Sequence, residues 1–514
     1  MIKAYGVWCR TRQRENNMRE IHHFVGGKSF AGTSDRRGPV MNPTTGEQQA
    51  EVMLANAADL DHVCAKAEEA ARAWANTSVI TRSRVMSKFQ ALLWQHKTEL
   101  ATMIANEHGK VLADAEGDVV RGIEAVEFSV GIPHLIKGEY SDGVSTNVDM
   151  YSMRRPLGVV AGITPFNFPA MIPLWMMAVA VACGNAIIIK PSEKDPTCPV
   201  RLAELFMEAG GPEHIFNVLH GDRELVEAIL AHPTIQAVSF VGSTPVARAV
   251  YAGATAHGKR AQCMGGAKNH LLVMPDADMD AATNALMGAA YGSAGERCMA
   301  TPVAVAVGKG TAEALIERLQ PRIEALRIGP SMDPDSDMGP LVTREHRDKV
   351  KGYFDMAVEE GSDLLVDGRE FSLQGYENGY FIGACLFDNV KPGMTTYKEE
   401  IFGPSLQIVR ADDFDQAAKL PSDHEYGNGT AIFTKDGRFA RQFAQHVNVG
   451  MVGINVPIPV PLSFHTFGGW KASAFGGHNQ HGMEGVRFYT KVKTVTARWD
   501  DNFGDAQFIM PTHG

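Results

Sequence analysis

The sequence predicts an α/β protein with two open, mostly parallel sheets and a small strand extension, and three observations carry that prediction. After Arg155, short apolar strands alternate with helices, the pattern of parallel β-α-β units. The alternation restarts near Leu271 and runs to about residue 460, which reads as a second α/β domain. Val486–Trp499 (VRFYTKVKTVTARW) alternates apolar and polar residues, and Tyr151–Arg155 is another short candidate strand. These two segments are expected to pair away from both domains.

Taken in order, residues 1–17 are basic through Arg10, Arg12 and Arg14 and lack an apolar core, which excludes an ordinary secretory signal. They read as a leader outside the fold or as sequence upstream of a true start at Met18. An organellar presequence is the remaining reading, although arginines at period two do not line one helical face. From there to about residue 140 the chain reads as mostly helical. Ala57–Ala75 and Thr81–His108 carry apolar residues at three- and four-residue spacing, and Gly109 is a natural stop. No residue from Pro156 to Ile189 is charged, yet Pro165, Pro169 and Pro173 cut this run too short for a membrane span. It reads as a buried strand (157–163), a loop, an apolar helix (about 170–183) and a second buried strand (186–190). Further strands are expected at 215–219 and 235–241, with helices near 199–209, 223–231 and 245–257. In the second domain strands are expected near 303–307, 406–410 and 430–433.

Composition narrows the function classes without naming one. The 514 residues hold 49 basic and 59 acidic side chains, a net charge of −10, with 45% apolar and 21% charged residues. That is ordinary globular usage. An acidic chain without Lys/Arg runs argues against nucleic acid or an anionic membrane as the partner. The seven cysteines are scattered, with no C-x-x-C and no His-Glu-x-x-His, so neither a disulfide scaffold nor a metal site is expected. A reducing compartment fits best.

Three segments can carry chemistry. Cys298, in Ala294-Gly295-Glu296-Arg297-Cys298-Met299-Ala300, would serve as a nucleophile if a neighbouring cation or backbone N–H groups lowered its pKa. Phe240-Val241-Gly242-Ser243-Thr244 ends a strand and opens a helix; Ser243 or Thr244 is placed to cap it, and its N-terminus favours an anion. Lys190-Pro191-Ser192-Glu193 ends a buried strand, where ligands of open α/β sheets gather. There is no G-x-G-x-x-G and no P-loop. Each segment alone is a weak signal.

Together and in order, the motifs resemble those of the aldehyde dehydrogenase superfamily over residues 20–500. The matching stretches are Thr164-Pro165-Phe166-Asn167-Phe168-Pro169, Lys190–Glu193, Phe240–Ser243, Gly265-Gly266-Ala267-Lys268, Gly295–Cys298 and Glu399-Glu400-Ile401-Phe402-Gly403-Pro404. The resemblance implies an aldehyde dehydrogenase-like fold with a Rossmann-like NAD domain (18–140 and 157–264) and a catalytic domain (265–470). Residues 141–156 and 471–500 would be oligomerisation strands of a homodimer or homotetramer. It implies Cys298 as nucleophile and the Asn167 amide with the Cys298 N–H as oxyanion donors. It also implies a cofactor site for NAD. Lys190 and Glu193 would bind the adenosine ribose, Ser243 the pyrophosphate, and Glu400 with Phe402 the nicotinamide end. Thr164, Phe166 and Gly265 in the matched stretches, and Lys194 directly after Lys190–Glu193, are the further cofactor-binding candidates.

One position departs from the hydrolytic members, which the resemblance implies carry a glutamate base two residues before the Gly-Gly pair. Here that position is Cys263. A thiol is a poor general base near neutral pH, so water should deacylate slowly and coenzyme A becomes the expected acyl acceptor. The chain also resembles the CoA-acylating methylmalonate-semialdehyde dehydrogenases, through Gly266–His270, Val273–Ala277, Arg297–Ala300, Gly485–Thr490 and Lys493–Trp499. That resemblance implies Arg121, in Arg121-Gly122-Ile123-Glu124, and Arg297 as a clamp for a substrate carboxylate. The expected activity is oxidation of methylmalonate or malonate semialdehyde to propionyl- or acetyl-CoA, with loss of the carboxylate as CO2 or bicarbonate. A hydrolytic aldehyde dehydrogenase and a non-redox cysteine acyltransferase are the rivals. A cytoplasmic location is expected, or the mitochondrial matrix should residues 1–17 be a presequence.

Overall fold

A computed structural model describes residues 18–499, so the leader reading for residues 1–17 lies outside the described residues. Two parallel sheets dominate. The first has eight strands, ordered Ala474–Phe475, Arg260–Met264, Ile235–Val241, Val159–Ile163, Ala186–Lys190, Phe216–Val218, His23–Val25 and Lys28–Phe30. The five inner strands from Arg260–Met264 to Phe216–Val218 are mutually parallel. Counted along the chain, they stand in the order 5-4-1-2-3. The strand order therefore reverses between Val159–Ile163 and Ile235–Val241, and in such sheets ligands bind beyond the carboxyl ends at that crevice. Antiparallel pairs close both edges.

The second sheet has seven strands, ordered Asp363–Val366, Cys385–Asp388, Ser405–Ala411, Val303–Val307, His270–Val273, Gly429–Phe433 and Met451–Ile454. All pair in parallel except the edge strand Asp363–Val366. Each sheet organises its own apolar core. Near-continuous apolar strands such as Ala186–Lys190 (AIIIK) and Val303–Val307 (VAVAV) are buried on both faces, as helices on both sides of a parallel sheet require.

The uncharged run at 156–189 forms strand, loop, helix and strand as expected. Every residue of the helix Met171–Ala182 is buried, and the Trp74 indole N–H donates to Val181 O at 2.8 Å. No helix among the described residues is long and apolar enough to cross a membrane.

Three expectations fail in detail. Residues 19–53 are not helical but form five short strands, three of them in a separate sheet ordered Arg19–Ile21, Glu47–Met53, Arg37–Asn42. Thr81–His108 is two helices, Val79–Gln95 and Lys97–His108, broken at His96 (φ −100°, ψ 12°). The apolar spacing from Leu93 to Leu100 carries across the break, so periodicity alone reads one helix. Of residues 471–500, only Thr490–Arg498 joins the strand extension, pairing antiparallel along all of Val148–Pro156, with Tyr140–Ser145 beyond it. Ala474–Phe475 instead edges the first sheet, and Gly482–Phe488 is a helix burying Val486 and Phe488. Arg260 Nη1 donates to the carbonyls of Arg487, Phe488 and Thr490, at 2.8, 2.5 and 2.8 Å, tying this helix end to the first sheet.

Candidate active site

Cys298 lies where the two sheets face each other. The helix Met279–Tyr291 ends in a tight turn, Gly292–Gly295, in which Ser293, Ala294 and Gly295 all have positive φ (53°, 51° and 76°). Gly295 has no alternative there, because a Cβ would stand 2.2 Å from Gly403 O. The turn is therefore pressed backbone to backbone against the Phe402–Pro404 segment. Beyond it, the Cys298 carbonyl accepts the Asn269 Nδ2–H at 3.1 Å and the Asn428 Nδ2–H at 3.2 Å. Asn269 also donates to Ala300 O at 2.7 Å and accepts the Gly429 N–H at 2.9 Å, linking the nucleophile loop to the second sheet. Neither asparagine was singled out from sequence.

The thiol is half-buried, and burial pushes its pKa up to about 12, with the Glu400 carboxylate adding to the rise. The backbone N–H groups of Cys298 and Met299 and the Arg297 guanidinium act in the opposite direction. Asn167 is buried opposite, its Nδ2 donating to Glu296 O at 3.0 Å and its carbonyl accepting the Lys110 ammonium at 2.6 Å. A primary amide carries two N–H donors. The bond to Glu296 fixes one and leaves the other for the site.

Two cavities meet at Cys298. The larger, about 400 Å³, is lined by Arg121, Arg297, Asp114 and Asp118 together with Trp175 and Phe467. Both predicted clamp residues are thus in one cavity with the thiol, and each already holds a carboxylate. Arg297 pairs with Asp114, and Arg121 Nη1 donates to Glu124 at 2.6 Å while its Nη2 donates to Val460 O and Pro461 O. Although burial opposes it, the Arg297 charge holds the Asp114 carboxyl below its usual range. Burial lifts Asp118 to about 6, against the pull of Lys110 3.9 Å away. The smaller cavity, about 20 Å³, lies toward Glu400 and Phe402. Burial raises the Glu400 carboxyl to about 7, although its Oε1 accepts the Ala267 N–H at 2.9 Å.

The predicted cofactor residues fall at the carboxyl ends of the first sheet. Thr164 and Phe166 follow strand 159–163, Lys190 ends strand 186–190, Ser243 follows strand 235–241, and Gly265 follows strand 260–264. Thr164 and Ser243 therefore flank the point where strand order reverses. Lys190 Nζ stands 3.4 Å from Glu193 Oε2, and burial draws the Lys190 pKa down. Lys194 Nζ lies 5.3 Å over the Phe166 ring, which meets Phe402 edge-on at 6.0 Å. The expected side-chain cap of helix Thr244–Ala256 is absent: Ser243 is exposed and makes no cap bond, and Thr244 Oγ1 accepts the Gly266 N–H at 2.8 Å. Among the described residues no side chain caps the helix N–H groups, which suits an anion, two lysines stand beside the crevice, and the buried Thr164 Oγ1 has no hydrogen-bond partner. These groups fit a dinucleotide with a pyrophosphate at the helix end. A Cβ on Gly265 would meet Thr244 Oγ1 at 2.9 Å and Ala472 O at 3.0 Å, so this floor is close-packed.

Cys263 is fully buried in the strand Arg260–Met264, lines neither cavity, and has its pKa raised to about 12 by burial. No carboxylate stands in its place. Among the described residues, no group of three or more His, Cys, Asp or Glu side chains is arranged to hold a metal ion.

Comparison with known proteins agrees with this geometry. The aldehyde dehydrogenase family matches residues 30–495. A malonate-semialdehyde dehydrogenase of Pseudomonas aeruginosa is 52% identical over 497 residues, 96% of this chain and 100% of that protein. The human mitochondrial methylmalonate-semialdehyde/malonate-semialdehyde dehydrogenase, described as acylating, is 42% identical over 516 residues, 100% of this chain and 96% of that protein. A Sinorhizobium meliloti crystal structure in complex with NAD, provisionally assigned as a methylmalonate-semialdehyde dehydrogenase, superimposes with a TM-score of 0.94 at 57% identity, covering 96% of this chain and 100% of that one.

Proposed function

The chain belongs to the aldehyde dehydrogenase family, and from that premise we propose that it oxidises malonate or methylmalonate semialdehyde with NAD and passes the acyl group to coenzyme A. The observation that carries this reading is the position of Cys298. It stands between a cavity bearing two guanidinium groups and a smaller one lined by Glu400 and Phe402, with a buried thiol where a hydrolytic base would sit.

Arg121 and Arg297 hold the substrate carboxylate at one end of the larger cavity, which leaves the aldehyde carbon at Cys298. The Cys298 thiolate attacks that carbon, and the alkoxide formed takes the free Asn167 N–H and the Cys298 backbone N–H. Such preorganised donors are worth roughly 2.7–4 kcal/mol each at acyl-transfer sites. NAD, when bound in the crevice, supplies the hydride acceptor. Collapse of the alkoxide then leaves a thioester on Cys298. The thiolate of coenzyme A displaces Cys298 from the thioester, giving acyl-CoA and the free enzyme thiolate. This exchange of thiol for thioester needs little help from a base. The substrate carboxylate leaves as CO2, the electron pair of the broken C–C bond passing to the α-carbon of the thioester, which takes a proton from water; hydration of the CO2 gives bicarbonate.

We further propose that the sheet of Tyr140–Ser145, Val148–Pro156 and Thr490–Arg498 joins subunits in a homodimer or homotetramer. Residues 1–17 would determine whether the protein stays in the cytoplasm or enters a mitochondrial matrix.

The test is product analysis with and without coenzyme A. With it, NADH and acyl-CoA are expected in equal amounts through many turnovers. Without it, NADH should stop near one equivalent per active site; sustained turnover to a free acid would overturn the acylating reading. A second expectation concerns the clamp. Arg297→Gln should raise the KM for malonate semialdehyde about 10–100-fold, as expected for one hydrogen-bonded charge partner. The same change should alter kcat/KM for uncharged propanal less than about threefold, the small effect of a lost charge the substrate does not use. Equal losses on both aldehydes would remove Arg297 from the clamp.

A further inference from the structure

Glu296, two residues before the nucleophile, is fully buried and has no role in the mechanism above. Its Oε1 accepts the Val342 N–H at 3.3 Å and lies 3.6 Å from His346 Nε2. Its Oε2 lies 3.9 Å from His108 Nε2, and neither of these two atoms has a hydrogen-bond partner among the described residues. The tautomers follow from the other contacts. His108 Nδ1 accepts the Lys110 N–H at 3.3 Å, so its proton sits on Nε2. His346 Nε2 donates to Phe402 O at 2.7 Å, so its proton also sits on Nε2. One N–H, that of Val342, therefore bonds the Glu296 carboxyl group, the His108 Nε2–H faces it unpaired at 3.9 Å, and the His346 Nε2–H, given to Phe402 O, stands 3.6 Å away. A carboxylate is a stronger acceptor for the unpaired His108 N–H than a protonated carboxyl group, which carries a donor of its own.

Each donor belongs to a segment that shapes the site. Lys110, which bonds His108 through its backbone, holds Asn167 O through its ammonium, and Asn167 Nδ2 returns to Glu296 O. His346 holds the carbonyl of Phe402, a non-glycine residue at φ +58°. We propose that Glu296 is a positioning residue for hydride transfer, its carboxylate gathering the His108 and His346 N–H groups and so locking the Cys298 loop to the segments that carry Asn167 and Phe402. The proposal rests on the reading that Cys298 forms the acyl-enzyme and NAD takes the hydride.

Burial lifts the Glu296 carboxyl to about 8. The charged or titratable groups facing it are His108, His346, Lys110 and Lys194, and both lysines oppose that rise. Deprotonation on raising the pH through 8 thus strengthens the acceptor that the unpaired His108 N–H faces. The first-turnover NADH burst of the wild-type protein should accelerate across that range.

In Glu296→Gln one terminal oxygen becomes an NH2 group facing the His108 N–H, and position 296 no longer titrates. We expect the burst to slow about tenfold, the order of one lost hydrogen bond to a charged group. The rise near pH 8 should vanish, with KM for the semialdehyde and the Kd of NAD changed less than about threefold, because neither ligand touches Glu296. A burst rate and pH profile matching wild type would overturn the proposal, as would a slower burst that keeps the rise near pH 8. Should Glu296→Gln fail to fold, His346→Gln and His108→Gln are read by the same burst and the same profile. Absence of any burst from the wild-type protein would overturn the underlying reading and this one with it. A wild-type burst beside an unaltered variant overturns this one alone.

Discussion

Cys298→Ala is expected to abolish NADH formation from either semialdehyde, by on the order of 10⁴-fold or more, the scale on which loss of an essential nucleophile acts. Nothing else near the aldehyde carbon can take the place of the thiol: the smaller cavity holds Glu400 with its Oε1 bound to Ala267, and Cys263 lines neither cavity. The substitution should leave the fold intact, because the loop is held by its backbone. Asn269 and Asn428 grip the Cys298 carbonyl, and Asn167 grips the carbonyl of Glu296. Absorbance of NADH measures the loss, and calorimetry should show that NAD still binds with a Kd within about threefold of wild type, since only an alanine-for-cysteine change separates the two sites. Residual turnover above about 1% would assign the nucleophile elsewhere.

Asn167→Ala is the second large effect, an expected fall in kcat of about 10²–10³-fold with a much smaller change in KM. The split follows from what the amide contacts. In the proposed mechanism its second N–H meets an oxygen that carries charge only after attack, so its loss should raise the barrier without weakening the bound aldehyde. The backbone contact of Asn167 with Lys110 survives the substitution, because it uses the carbonyl. Steady-state kinetics with malonate semialdehyde reads both parameters. A fall in kcat of less than about threefold would leave the Cys298 N–H as the working donor alone, against the usual worth of such a group.

Legibility differed along the chain for physical reasons. Lys190 and Ser243 could be placed from sequence because each lies at the close of an apolar run, and the carboxyl end of a buried strand is where such a run stops, whereas Gly265 follows Arg260–Met264 (RAQCM) and rested on the resemblance alone. The strands at 19–53 could not. Arg19–Ile21 and Lys28–Phe30 are three residues long and largely exposed, so their pairing partners define them and no periodicity does. The helix at Gly482–Phe488 was hidden for a related reason. Val486 and Phe488 alternate with Arg487 as they would in a strand, and only packing against the first sheet makes them a helical face.

The sequence by itself determined the chemistry class: a cysteine after a glycine turn, an asparagine after a buried strand, and a thiol in place of a carboxylate base. These are local properties, carried by residue type and by the few neighbours that set backbone shape. Tertiary structure alone decided how the nucleophile is held and which groups surround it. The Cys298 carbonyl is fixed by Asn269 and Asn428, 29 and 130 positions away, and Glu296 meets His108 and His346 from two other segments. Hydrogen-bond partners and burial are set by distance in space. A buried carboxyl beside two imidazoles acquires its character only when the chain has folded around it.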